Sequence, residues 1–313
     1  MKMKERVLVA GANGFVGFNL VNELISNKIP VTALIKNNSL TTNLKKIGCY
    51  NIIQTNNLND VSIIRQLLVS KPKYVVNCIW NKKNNDVLSS LDNTKILIEL
   101  LELTKKINSD GFINLGTYEE YGILKEDISE NQVCHPKTEF GKLKNCHSII
   151  VSELAKSLNI KACHLRISEL YSLKEPESFL FKTLIKNIAN QTAHTFSYTN
   201  NKVDYIFVSD LCRAIIQLIN NNSSGIFNVS SGQAFYNRDL INMINQQFKS
   251  NVKLEEIENK KSFSLNINRV FELTGWKPTI SIWDGITMLL QEEKFKNPNT
   301  FENFTKTIRT LYR

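Results

Sequence analysis

The chain has 313 residues, enough for two domains or for one large α/β domain with an appendage. Its 42% hydrophobic and 22% charged content is that of a globular chain and excludes a disordered or fibrous one. The formal charge of +10, from 39 basic and 29 acidic residues, raises the question of anionic partners.

No apolar run approaches the ~20 residues of a membrane helix. Met1 to Arg6 is a charged lead into a strand and lacks a signal peptide's apolar core. A cytoplasmic protein with no membrane partner is expected. The six cysteines (Cys49, Cys78, Cys134, Cys146, Cys163 and Cys212) are scattered and form no CxxC pair. Three precede a histidine, but Cys163 and His164 fall on a predicted strand, where neighbours point to opposite faces. They read as reduced packing thiols, and no metal site is expected.

In chain order, Arg6 to Ala10 is predicted as a strand and Phe15 to Ser26 as a helix. Strands follow at Val31 to Ile35 and Asn51 to Gln54, then a helix from about Asp60 to Ser70. Tyr74 to Trp80 reads as a buried strand, Leu88 to Lys106 as a long helix, and Gly111 to Leu115 as a fifth strand. Phe140 to Leu158 is a second long helix and Ile160 to Ile167 a sixth strand. This alternation predicts βαβ units and therefore a doubly wound parallel sheet.

After residue 170 the rhythm changes. Helices are predicted near Phe179 to Ile188, Asp210 to Ile219, Arg238 to Phe248, Ile267 to Leu273 and Ile282 to Glu292. Strands are predicted at Asp204 to Val208 and Gly225 to Val229, and a turn at Gly275-Trp276-Lys277-Pro278. The expected fold is α/β: a Rossmann domain over 1–168, to which the chain returns at about 203–228, and a smaller substrate-binding lobe over most of 169–313.

Gly11-Ala12-Asn13-Gly14-Phe15-Val16-Gly17 joins the first strand to the first helix. A dinucleotide pyrophosphate must approach backbone N–H groups at a helix N-terminus, where a Cβ would obstruct it. Gly11 and Gly14 allow that approach and Gly17 lets helix and strand pack closely. The second strand ends Leu34-Ile35-Lys36-Asn37, with no carboxylate to select NAD by its ribose hydroxyls. Lys36 leans towards NADP, but a solvated lysine reads equally well, so the preference between NAD and NADP stays open.

Further segments lie at matching positions: Asn57-Leu58, Val76-Asn77-Cys78-Ile79-Trp80, Asn93 with Leu100-Leu101-Glu102, and Thr117 to Gly122. Leu165-Arg166 with Tyr171, Asp204 to Asp210, Gly225 to Val229 and Gly275 to Pro278 continue the series. Taken together, and over nearly its whole length, the chain resembles the extended short-chain dehydrogenase/reductases that act on nucleotide-activated sugars.

That resemblance implies a cofactor, NAD or NADP, at Gly11, Asn13, Gly14, Phe15, Val16, Lys36, Asn57, Leu58, Cys78, Ile79 and Lys144. It implies a nucleotide-sugar substrate near Trp80, Thr117, Tyr118, Glu169 and Lys182, with hydride transfer usually at carbon 4. The family carries out that transfer with a Ser/Thr, a Tyr and a Lys. Thr117 and Lys144 stand at two of the three positions, but Phe140 stands where the tyrosine should be. Three readings stay open: a substitution that traps a complex, a natural member working without the phenol, or a non-catalytic dinucleotide-binding regulator or partner subunit. Tyr118, Glu119 and His135 are replacement acid/base candidates by chain proximity alone.

Sugar 4,6-dehydratases carry a Thr-Asp-Glu triplet, which here is Thr117-Tyr118-Glu119, so dehydration is disfavoured. The likeness leans towards CDP-sugar 4-ketoreductases, and more narrowly towards a GDP-heptose 4-dehydrogenase of capsule synthesis, with a 4-epimerase as the alternative enzyme. It also implies a homodimer through Leu88–Lys106 and Phe140–Leu158. The lysines form no aromatic-interleaved stripe, which argues against nucleic acid. The anions expected are two pyrophosphates, one in the cofactor and one in the sugar nucleotide.

Overall fold

A computed structural model describes residues 5–81, 87–173, 180–189, 200–248 and 262–296. Its centre is a seven-stranded parallel sheet. The strands are β1 (Val7–Ala10), β2 (Val31–Ile35), β3 (Ile52–Gln54), β4 (Tyr74–Asn77), β5 (Gly111–Leu115), β6 (Lys161–Ile167) and β9 (Gly225–Val229), in the order β3-β2-β1-β4-β5-β6-β9. Register runs unbroken from Val7 opposite Val31 and Tyr74 to Ile167 opposite Val229.

The strands are apolar on both faces because helices cover both. Val7, Val9 and Val76 enter one core with α1 (Phe15–Ser26) and α7 (Val208–Asn220). Leu8, Ala10 and Val75 enter the other, with α3 (Val61–Ser70), α4 (Val87–Lys106) and α5 (Glu139–Leu158). Alternating side chains along each strand thus feed two separate cores.

The smaller lobe holds a three-stranded sheet of β7 (Glu169–Tyr171), β8 (Lys202–Phe207) and β10 (Ala234–Tyr236), ordered β10-β8-β7. A third core of Tyr171, Phe181, Tyr205, Phe207, Leu240 and Ile286 joins it to α6 (Leu180–Ala189), α8 (Asn237–Phe248) and α10 (Ile282–Lys296). The predicted helix start at Phe179 lies outside the described residues.

Three expectations need correction. The return to the Rossmann domain, expected at about 203–228, divides: β8 pairs in the small sheet, and only α7 and β9 join the large one. Conversely, α9 (Asn268–Thr274) and Trp276 pack into the large domain's core through Val270 and the indole. The short strands β7 and β10 and the five-residue helix α2 (Thr42–Lys46) went unrecognised, because three to five residues are too few to display a period.

Two acidic residues of the C-terminal signatures turn out to be structural. Buried Asp204 accepts from Ser231 N and Oγ and from Leu265 N, at 3.0, 2.6 and 3.1 Å. Asp210 accepts from Thr279 N (2.8 Å) and Ile280 N (3.0 Å), tying α7 to the turn that ends in Pro278.

Gly17 sits where α1 crosses β1, and a Cβ there would lie 2.2 Å from the Gly11 carbonyl oxygen. Backbone atoms cannot yield as a flexible side chain can. Gly17→Ala should therefore lower unfolding stability by about 1–3 kcal/mol, read from urea denaturation.

Candidate active site

The C-terminal ends of β1, β2, β3 and β4 open on a cleft of roughly 690 Å³. Gly11, Asn13, Gly14, Lys36, Leu58, Cys78, Ile79 and Trp80, all expected at the site, line it. Gly11 has φ +80°, and a Cβ there would meet the Cys78 carbonyl carbon at 2.9 Å, so both its conformation and its neighbour require glycine. Gly14 caps α1 with no side-chain hydrogen bond, and the first turn carries no acidic residue. Phe15 and Val16 begin that helix. Their side chains pack against the core, and neither residue lines the cleft.

This lining suits a dinucleotide: the N-terminus of a helix for the pyrophosphate and an apolar slot of Leu34, Leu58 and Ile96 for a flat base. Lys36 reaches across the mouth to donate to Asn81 Oδ1 at 3.1 Å. Asn57 does not line the cleft. Its carboxamide turns back to accept from Asn59 N at 3.0 Å, and Asn56 lines the wall instead. Thr55, Ser39, Asn81 and Glu99 also line the cleft, though no motif marks them. Their signal is positional, since all but Glu99 follow the C-terminal end of a parallel strand, where ligands of such sheets bind.

The end of β5 leads into a second group of the expected residues. Thr117 is buried there and caps a short 3-10 turn, Tyr118–Glu120. Its hydroxyl oxygen accepts from Glu119 N at 3.3 Å, and its own N–H donates to Glu120 Oε1 at 2.9 Å. A Cβ on Gly141 would lie 2.5 Å from the Glu119 carbonyl oxygen, so α5 starts in direct contact with this turn. Thr138, the α5 N-cap, donates to the Glu119 carboxylate and accepts from Gly141 N at 3.0 Å.

Lys144 lies one helical turn after Phe140 and is buried. Its ammonium donates to the Leu115 carbonyl at 2.7 Å and sits 4.1 Å over the Trp80 ring and 5.7 Å from the Phe140 ring. Trp80 and Phe140 meet edge-on at 5.0 Å. Burial pulls the Lys144 pKa down to about 8, against the opposing pull of Glu120 and Cys78. Burial likewise pushes the Cys78 thiol up to about 12.

Two side chains of the expected substrate site meet across the lobes. Tyr118 donates to Glu169 Oε1 at 2.6 Å and stacks on Phe263 at 4.2 Å between ring centroids. Burial and the Glu169 charge raise the Tyr118 pKa far above a phenol's usual value. Lys182 lies half-buried on α6 of the smaller lobe, and His135 is exposed on the loop before α5.

Beneath Thr117 runs a buried polar chain that sequence reasoning missed. Asn77 donates to Asn114 (2.9 Å), Asn114 meets His164 Nδ1 (3.1 Å), and His164 Nε2 meets Glu120 Oε1 (2.9 Å). Arg166 donates to Glu120 Oε2 at 3.1 Å. Burial would raise the Glu120 pKa, but His164, Arg166 and the Thr117 N–H hold it below its usual value. A Cβ on Gly116 would fall 2.3 Å from both Glu120 Oε1 and His164 Nε2.

Residues 7–230 match the sequence pattern of the NAD dependent epimerase/dehydratase family. The chain belongs to that family, whose members include enzymes of nucleotide-sugar chemistry, and its cofactor class is NAD or NADP. It is 26% identical to the dTDP-4-dehydro-6-deoxyglucose reductase of Escherichia coli, over 94% of this chain and 99% of that one. It is 23% identical to the CDP-abequose synthase of Salmonella typhimurium (strain LT2), over 92% and 98%. The fold is similar to dTDP-glucose 4,6-dehydratase from Bacillus anthracis in complex with NAD (TM-score 0.82, 18% identity, 95% and 98% coverage). Among the described residues, no helix is long and apolar enough to cross a membrane, and no group of three or more His, Cys, Asp or Glu converges as a metal site.

His147, on α5 beside Trp80, meets Thr94 Oγ1 at 3.0 Å and is held down to about pKa 3 by burial first and by the Lys144 and His164 charges after it. Unfolding restores an ordinary imidazole near 6.5, so the unfolded chain binds a proton below that pH that the folded chain refuses. Stability must then fall as pH drops below 6.5, by up to about 1.4 kcal/mol per pH unit from this group. His147→Gln should flatten the urea-denaturation profile as pH falls below 6.5, with the carboxylates contributing the same background to both proteins.

Proposed function

We propose that this protein transfers a hydride between NAD(P) and carbon 4 of a nucleotide-activated sugar in the synthesis of a bacterial surface polysaccharide. The reading is supported by Lys144, which stacks over the cleft residue Trp80 and donates to the Leu115 carbonyl two residues before Thr117. When bound, the nicotinamide supplies the hydride acceptor or donor. The chain's own groups do the rest. Thr117 offers a hydroxyl to the sugar oxygen, Trp80 and Phe140 exclude water, and the Tyr118–Glu169 pair bounds the sugar from the smaller lobe.

The similarity to a dTDP-sugar reductase and to CDP-abequose synthase supports a 4-reductase or 4-dehydrogenase, with a GDP-heptose 4-dehydrogenase as the narrower candidate. A 4-epimerase must move the proton and hydride twice, so Phe140 counts more heavily against it. The side-by-side packing of α4 and α5, with Leu91 and Ile149 exposed on them, supports a homodimer through this pair.

Denaturing the purified protein should release NAD(H) or NADP(H). Reduced-nicotinamide fluorescence should then change when 4-hydroxy and 4-keto sugars linked to dTDP, CDP, UDP and GDP are added to the native protein. No change with any of them overturns the reading in favour of a non-catalytic dinucleotide binder. Thr117→Ala should lower the rate of hydride transfer by ~10²–10³-fold, as loss of one preorganised donor to a reacting oxygen does, with dinucleotide affinity unchanged.

A further inference from the structure

We propose that Lys144 is itself the acid/base group of this site, taking the proton of the sugar hydroxyl and returning it in the reverse direction. The proposal rests on the hydride-transfer reading above and assigns the proton that Phe140 cannot carry. In oxidation the carbinol C–H leaves with its electron pair to the oxidised nicotinamide, and the O–H proton passes to the neutral Lys144 amine. The carbonyl forms, the amine becomes ammonium, and reduction is the same step reversed.

The geometry leads there by occupancy. The proton-carrying groups around Thr117 are each committed elsewhere. Glu120 is fully buried and holds His164, Arg166 and the Thr117 N–H. His147 meets Thr94, Tyr118 donates to Glu169, and Glu119 is bound by Thr138. Cys78 is a buried thiol whose proton is held far above neutrality.

Lys144 differs from all of these. Among the described residues no carboxylate reaches it by hydrogen bond or ion pair. Its one carbonyl acceptor, Leu115 O, lies two residues before Thr117. The groups that face it are Trp80 and Cys78 from the end of β4, Phe140 and His147 from its own helix, and Glu120 from the turn. The indole face and the Leu115 carbonyl favour the ammonium, while burial favours the amine. With burial prevailing, the pKa near 8 leaves both forms populated close to neutrality, which is what a two-way proton carrier needs.

The first test needs neither cofactor nor sugar. In ligand-free protein carrying ¹³C at lysine Cε, one resonance should titrate about two pH units below the bulk lysines, which titrate near 10.5, and should vanish in Lys144→Arg. The 4.1 Å approach to the indole also displaces that resonance by ring current. Trp80→Leu, which removes the displacement, therefore identifies it independently should the arginine variant not fold. Titration of Lys144 with the bulk overturns the proposal.

The second test is single-turnover hydride transfer against pH with whichever sugar nucleotide is turned over. Oxidation should rise through pH ~8, where the amine appears, and reduction should fall there. Lys144→Arg should lose ~10²-fold or more in rate together with that inflection. A variant that binds dinucleotide more weakly but keeps the wild-type pH profile overturns the proposal in favour of a positioning role. If no sugar nucleotide is turned over, the functional reading fails and the proposal with it. A bulk-like titration alongside turnover sinks the proposal alone.

Discussion

A carboxylate with no solvent exposure must have every oxygen satisfied, and in this protein that carboxylate is Glu120. It draws in the Thr117 N–H at the end of β5 and two side chains of β6, His164 and Arg166. Arg166 lies over the Tyr121 ring at 4.6 Å, and the Tyr121 hydroxyl donates to Asn228 on β9 at 2.6 Å. One buried charge thus fixes the ends of three neighbouring strands against each other. Thr117 is tied to this network through its own N–H, and removing a partner would leave a buried carboxylate oxygen less well satisfied. Gly116 belongs to the same constraint, since a side chain there would occupy the place where Glu120 and His164 meet.

Against that rigid floor, the roof of the site is aromatic. A tyrosine at position 140 would have placed a phenol one turn before Lys144. The phenylalanine instead presents an edge to Trp80 and leaves the ammonium between two rings and one carbonyl. Burial is what lowers the Lys144 pKa, and the two rings are part of what keeps water from it.

Much of this was legible in the sequence where the signal is local. The glycine loop places an uncapped helix terminus on the cleft, and long amphipathic runs predict α4 and α5 to within one residue at either end. The position of Phe140 one turn from Lys144 follows from spacing alone. What was not legible depends on pairing across the chain. Glu120 and His164 lie 44 residues apart, and Tyr118 and Glu169 lie 51 apart. Neither partner is informative until the sheet brings strand ends together. Asn57 misled for the opposite reason. A small polar residue after a strand satisfies its own turn as readily as a ligand, and here Asn59 N takes its carboxamide.

The net charge of +10 takes on a particular meaning once the cleft is placed. Among the described residues the one cation lining it is Lys36, and Glu99 lines the same cleft. A pyrophosphate there would be met by the N-terminus and dipole of α1, whose first turn has neither a capping side chain nor an acid to compete. Such a site binds anions without needing a cluster of lysines, so the excess positive charge acts elsewhere. A net positive chain attracts anions over about a Debye length, ~8–10 Å in ordinary salt. On the reading proposed above, binding depends on one helix end, while among the described residues no carboxylate comes within hydrogen-bond or ion-pair reach of Lys144, so its proton answers to burial rather than to a salt bridge.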